Sequence, residues 1–185
     1  MTNTRKMAIV AALSALSFLL MFYQIPLVAE FLKLDFSIIP ILLALVLLDF
    51  KSSVAVLLIR SVLKLALNGH GVETLIGLPI NIVAILVFVL FFALFWEKKR
   101  DLMSYLLASF LGILSLTASM LALNAFYAIP LYARFANFDI GQIIGVSKYL
   151  LTMIVPFNLL EGVIWAGVFW LIYKLLQPVL KRYEK

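Results

Sequence analysis

No cysteine occurs anywhere in the 185 residues, and His70 is the lone histidine. The first absence excludes disulfides, thiolate metal sites and cysteine nucleophiles. The second argues against histidine metal sites and most histidine-dependent triads. Charge is scarce as well: Asp, Glu, Lys and Arg together make up 13% of the chain, against about 25% in an ordinary soluble domain. So little polar surface cannot coat a water-soluble globule of this size. Neither a G-x-x-x-x-G-K-S/T phosphate loop nor an H-E-x-x-H pair is present, and no nucleophile stands out beside a base, so the chain does not read as an enzyme. Any energy source has to come from a partner or an ion gradient.

What is abundant is apolar: 65% of residues are hydrophobic and the mean hydropathy is +1.15. A hydrocarbon core about 30 Å thick takes roughly 20 apolar residues per helix. The runs predict an all-α membrane protein, a single bundle of six transmembrane helices over about 7–27, 35–49, 52–68, 75–96, 102–130 and 147–176. The first run is longer than the apolar stretch of a signal peptide and is followed by Glu30, Phe31 and Lys33, not by a small-residue cleavage site, so it is expected to be retained. The second is short for a span, which implies that one of its ends is sheathed by protein. Pro130 is expected to stop the fifth helix and Pro156 to break the sixth early.

A net charge of +6 does not point to nucleic acid here, because the basic residues gather at helix ends. With a cytoplasmic N-terminus the inside carries Arg5, Lys6, Lys51, Lys98, Lys99, Arg100, Lys174, Lys181, Arg182 and Lys185, and the outside only Lys33, Arg134 and Lys148. Ten against three is the positive-inside pattern for an even number of helices with both termini cytoplasmic.

Five features rise above this background. Ala8, Ala11, Ala12 and Ala15 follow i, i+3, i+4, i+7 spacing and make a small-residue face on the first helix. Such a face fits either an internal helix contact or docking onto another membrane subunit. Arg60 and Lys64 lie one turn apart within the third span, where each charge costs about 2.5–3.5 kcal/mol near the centre of a lone helix. They are expected to pair internally with a carboxylate such as Asp49 or Glu161, or to contact a ligand or partner. Asn81, Asn124 and Asn158 fall at similar depth near the outer helix ends, with Tyr127 and Glu161 close by. Each amide alone suits a kink or cap, whereas three together suit a polar ligand entering from outside. Phe36, Phe126, Tyr127 and Phe157 could stack on a flat heterocycle or form an interfacial belt. Asp35 is as well suited to cap the second helix as to touch a ligand.

The alanine-rich opening from Met7 to Ala15, the segments Leu34-Asp-Phe-Ser-Ile-Ile-Pro40 and Ile59-Arg-Ser-Val-Leu63, the stretch from Leu123 to Tyr132, and Pro156-Phe-Asn-Leu-Leu-Glu-Gly162 together resemble a known family. It is that of the membrane-embedded substrate-binding S components of energy-coupling factor transporters, and within it the riboflavin-specific members. The resemblance covers nearly the whole chain. It implies a six-helix protein in a bacterial plasma membrane of the Gram-positive type, surrounded by lipid. Such a protein captures riboflavin at its outer face and works with a transmembrane coupling subunit (EcfT-like) and two cytoplasmic ATPases (EcfA-like). It is thought to topple in the bilayer to release the vitamin inside. Riboflavin is then cargo, and no cofactor is expected. Carried over by position, Ala11 and Ala15 fall on the coupling contact, and Asn124 and Asn158 lie near the isoalloxazine ring. Asn81 matches an amide of the fourth helix. Asp35, Phe36, Tyr127 and Glu161 complete the expected site. Glu161 stands where the riboflavin members are expected to carry lysine, and Arg60 where lysine is usual. The alternatives are an S component for another vitamin or a flavin nucleotide, and a stand-alone secondary transporter using Arg60, Lys64 and Glu161 as a charge relay.

Overall fold

The computed structural model describes residues 2–183, with side chains through residue 179. Lys185 and the side chains of Lys181 and Arg182, three of the inner-side charges, lie outside the described residues. In chain order come α1 (Asn3–Leu20), a two-residue hairpin of β1 (Ile25–Pro26) and β2 (Lys33–Leu34), α2 (Ile38–Leu47), α3 (Phe50–Leu67) and α4 (Val72–Phe95). Then follow α5 (Leu102–Leu123), α6 (Ile129–Phe135), α7 (Ile140–Ile143), α8 (Val146–Tyr149) and α9 (Val155–Tyr183). A π-helical turn, Asn124–Ala128, joins α5 to α6, and another, Leu150–Ile154, joins α8 to α9. The fold is all-α apart from the hairpin. Among the described residues four helical stretches are long and apolar enough to cross a membrane: Asn3–Leu20, Val72–Phe95, Leu102–Phe135 and Val146–Val179.

Helix starts follow from local side chains. Thr2, Asp49 and Asp101 each accept a hydrogen bond from the backbone N–H three residues on, at the heads of α1, α3 and α5. Such caps contribute about 0.5–2 kcal/mol each by satisfying donors that the helix leaves free. The Asp101 carboxyl, held by the Ser104 N–H and then by the Ser104 hydroxyl, sits below the usual carboxylate range. Asp49 also receives Lys6 Nζ at 2.5 Å, which places the start of α1 beside the α2–α3 junction. Arg100 donates to the Val46 carbonyl at 3.0 Å, which brings the turn after α4 to the same end of the bundle.

Three boundaries differ from the sequence expectation. α1 stops at Leu20 and does not run to 27. Pro26 has no N–H and disfavours helix at the preceding residue, and the segment instead pairs antiparallel, Ile25 with Leu34 and Pro26 with Lys33. Pro130 does not stop the fifth helix: it falls in the first turn of α6, where a proline N–H is not needed. Pro156 likewise sits at the start of α9, directly after a π-helical turn, so the last helix is continuous through it. α2 is buried from Ile38 to Val46, which explains how so short an apolar helix can lie within the bundle.

At the Lys6–Asp49 end the core is a column of rings. Phe88, Phe92 and Trp96 repeat every fourth residue along α4, and they meet Tyr105 of α5 and Trp165, Phe169 and Tyr173 of α9. Edge-to-face contacts dominate, such as Phe92–Tyr105 at 5.3 Å and Trp96–Tyr173 at 4.8 Å. Each contributes about 0.5–1.5 kcal/mol beyond its area. The Tyr105 hydroxyl is satisfied by the Ala166 carbonyl at 2.6 Å. α5 approaches α9 closely at Gly162, where an added Cβ would lie 2.8 Å from Ile113 Cγ1.

Candidate functional site

Above this column the bundle opens. A cavity of about 690 Å³ lies between α4, α5, α6 and α9 at the end bearing the starts of α4 and α9, and Trp165 closes its floor. One turn after another contributes from α4 (Gly77, Ile80, Asn81, Ala84) and from α9 with its preceding turn (Ile154, Phe157, Asn158, Glu161, Trp165). Further along the same two helix faces lie Phe88 and Phe169 of the ring column, so the polar and the sealed halves are continuous stripes. The hairpin, the first turn of α4 and the α6–α8 region form the rim, with Lys33, Glu73, Tyr132, Phe138 and Tyr149.

The three amides meet in this cavity, and each is fixed differently. Asn124 opens the first π-helical turn. Its Nδ2 donates to the Met120 carbonyl at 2.8 Å and its Oδ1 accepts from the Tyr149 hydroxyl at 3.2 Å, which leaves one N–H uncommitted. Asn158 is fully buried and donates from Nδ2 to the Ile154 carbonyl at 2.8 Å. Its Oδ1 has no hydrogen-bond partner among the described residues. The Asn81 Oδ1 accepts from Arg60 at 2.8 Å, and among the described residues its two N–H groups have no hydrogen-bond partner. Taken together the cavity offers several amide donors and one orphaned acceptor.

Arg60 is 0% exposed, and its charge is handled by neutral acceptors. Besides Asn81, one guanidinium nitrogen donates to the Met21 sulfur at 3.0 Å and to the Ser37 hydroxyl at 3.2 Å. Neither Asp49 nor Glu161 is a partner; the carboxylate acting on it electrostatically is Asp35. Lys64 reaches Asn68 and lies 6.0 Å from the Phe22 ring centroid. An internal pair of either with Asp49 or Glu161 therefore does not form.

Of the residues expected at a site, Asn81, Asn124, Asn158 and Glu161 line the cavity, and so does Phe157. Asp35, Phe36 and Tyr127 do not. Asp35 is buried beneath it, its carboxylate accepting from the Ser37 N–H at 2.8 Å and its carbonyl from Trp165 Nε1 at 2.8 Å. Both bonds hold the turn that leads into α2; the N-cap position itself is Ser37, so Asp35 does not cap the helix as the sequence allowed. Phe36 packs into the main core and Tyr127 against the Ile76–Ile80 cluster, while Phe126 points outward, 86% exposed. Lys33, Glu73, Tyr132 and Tyr149 join the cavity lining from the hairpin, the first turn of α4, α6 and α8, and nothing in the polarity of the sequence says which residues of these short elements and helix ends fold back over a cavity. Ala8, Ala11, Ala12 and Ala15 are exposed on α1, and Ser14 and Ser17 face the bundle.

Comparison with known proteins accords with this geometry. Residues 5–173 match the family described as ECF transporter, substrate-specific component. The riboflavin transporter RibU of Streptococcus thermophilus is 56% identical over 182 residues, covering 97% of this chain and 86% of that one. RibU of Leuconostoc mesenteroides is 40% identical, with coverage of 99% and 96%. The solved S component of a bacterial ECF transporter is 27% identical and superposes with a TM-score of 0.79 over 97% of this chain and 99% of that one. A membrane bundle with one amide-lined cavity, matched over nearly its whole length at the level of sequence and of fold, is a transporter component and not an enzyme; the chain belongs to the substrate-specific components of ECF transporters.

Proposed function

We propose that this chain captures riboflavin from outside the cell and delivers it for ATP-driven uptake by partner subunits. The observation that carries this reading is the hydrogen-bond inventory of the cavity. The pyrimidine edge of an isoalloxazine ring presents an N–H between two carbonyls, with ring nitrogens as further acceptors. It needs one acceptor flanked by donors, and Asn158 Oδ1 is an acceptor without a partner while Asn81 and Asn124 hold free N–H groups. A volume of about 690 Å³ lies inside the roughly 300–1,000 Å³ range of small-molecule pockets. Phe157 and Trp165 supply apolar walls for a flat tricycle, and Glu161 is an acceptor suited to a ligand hydroxyl. The charged residues at the rim, Glu73 and Lys33, offset one another, and among the described residues no cluster of cations lines the cavity to meet a phosphate, which favours the uncharged vitamin over its phosphorylated nucleotide.

In this reading six segments cross the plasma membrane of a bacterium of the Gram-positive type, α2 and α3 being the two beyond the four long apolar helices. Both termini are cytoplasmic and the cavity opens outward, in keeping with the excess of Lys and Arg at the other end. The exposed alanine face of α1 docks on a transmembrane coupling subunit, which joins the chain to two cytoplasmic ATPases. Below Trp165 the rings of Phe88, Phe92, Trp96 and Phe169 are buried, which supports a chain that by itself captures and does not conduct. Proteoliposomes test this: riboflavin uptake is expected only when the coupling subunit and both ATPases are present with ATP, with riboflavin outcompeting flavin mononucleotide. Uptake that persists without the ATPases and collapses with the proton gradient would overturn the reading in favour of a secondary transporter.

A further inference from the structure

Arg60 is the least expected residue of the fold: a guanidinium with no solvent exposure, inside an apolar bundle, and outside the cavity lining. Burial of such a charge is costly unless its donors are used. Two of its three nitrogens are spent on three elements at once, while Nε has no hydrogen-bond partner among the described residues. One nitrogen reaches Met21, just past the end of α1, and Ser37, at the head of α2. The other reaches Asn81 on α4 at 2.8 Å, and Asn81 lines the cavity. The Ser37 carbonyl in turn accepts from the Ser17 hydroxyl of α1 at 2.6 Å, so the head of α2 is held from two sides.

The chemistry of the Asn81 contact is one-directional. Arginine has only donors, so it accepts nothing and can engage only the carbonyl oxygen of the amide. With the oxygen held, the NH2 group cannot exchange places with it, and a side chain that is donor and acceptor by nature becomes a fixed donor toward the cavity. We infer that Arg60 is a positioning residue that orients the Asn81 amide, so that Asn81 recognises an acceptor on the ligand, and that it ties this orientation to the end of α1. The inference rests on riboflavin being the ligand, whose carbonyl oxygens and ring nitrogens are acceptors of that kind.

A double-mutant cycle on the purified full chain tests it, using riboflavin fluorescence quenching for affinity, the absorption band shape of the bound flavin, and thermal unfolding of the free protein. Arg60→Met is expected to weaken riboflavin binding by at least about fivefold in the wild-type background, the loss of about one hydrogen bond, and to change the flavin band as Asn81→Ala does. In the Asn81→Ala background Arg60→Met should produce no further loss, because its route to the ligand is already gone. Equal losses in both backgrounds, or no loss in either, would overturn the inference and leave Arg60 a purely structural residue. Asn81→Asp keeps the oxygen for Arg60 but removes both donors. It should lose as much affinity as Asn81→Ala without a fall in melting temperature, and it carries the test should Arg60→Met not fold; undiminished binding by Asn81→Asp would overturn the inference. A wild-type chain that does not bind riboflavin overturns the functional reading together with the inference. Binding by the wild type with equal losses across the cycle overturns the inference alone.

Discussion

Asn158→Ala is the sharpest perturbation of the cavity. In the free protein the fully buried Asn158 makes one hydrogen bond, to the Ile154 carbonyl, and leaves Oδ1 unpaired. An unpaired buried acceptor costs about 1–3 kcal/mol, the same sum that a ligand N–H recovers on arrival. Truncation removes the orphan and the anchoring bond together, so the stability of the free protein should change little. Binding should lose the recovered term, roughly 5- to 150-fold in riboflavin affinity. The assay is fluorescence-quenching titration in detergent, with thermal unfolding of the free protein in parallel. Asn158→Asp is the control: it retains an acceptor but cannot donate to Ile154, so it should lower stability more than Asn158→Ala does. Affinity unchanged in Asn158→Ala, or an affinity loss matched by an equal loss of free-protein stability, would refute the assignment of Oδ1 to the ligand.

Three more outcomes follow from the same geometry. Ala11→Leu or Ala15→Leu on the exposed face of α1 should weaken co-purification with the coupling subunit while leaving riboflavin titration of the isolated chain unchanged; loss of both would show that the face packs within the bundle. Tyr149→Phe removes the hydroxyl that holds the Asn124 Oδ1 and should cost about 0.5–1.5 kcal/mol of binding, roughly a 2- to 12-fold weaker titration. Gly162→Ala would set a Cβ 2.8 Å from Ile113 Cγ1, and the overpacking should cost about 1–3 kcal/mol, read as a lower melting temperature.

The long helices were legible because lipid-facing sequence has almost no alternative reading: α4, α5 and the last helical stretch, Val146–Val179, begin within a few residues of their apolar runs. The end of α1 was not, since the residues after Leu20 are as apolar as those before, and only the pairing of Ile25–Pro26 with Lys33–Leu34, a tertiary contact, turns the chain away. The prolines misled for a related reason. A proline is a stop only where its missing N–H would be needed, and the π-helical turns before Pro130 and Pro156 place both in first turns. At the site, polar residues in an apolar helix announce themselves, and Asn81, Asn124, Asn158 and Glu161 do converge on one cavity. The orientation of each amide does not appear in the sequence, because it depends on partners 21 and 25 residues away, Arg60 for Asn81 and Tyr149 for Asn124. Arg60 reads from sequence as half of an ion pair or as a ligand or partner contact, and it is shared among a sulfur, a hydroxyl and an amide contributed by three other parts of the chain.

The most direct measurement is a titration of the purified chain, stripped of endogenous ligand by unfolding and refolding or by exhaustive exchange, with riboflavin followed by its fluorescence. One vitamin per chain should be quenched, with saturation at low concentration and weaker binding of flavin mononucleotide. Riboflavin fluorescence unaffected by stoichiometric folded protein would contradict the assignment of the cavity to this vitamin.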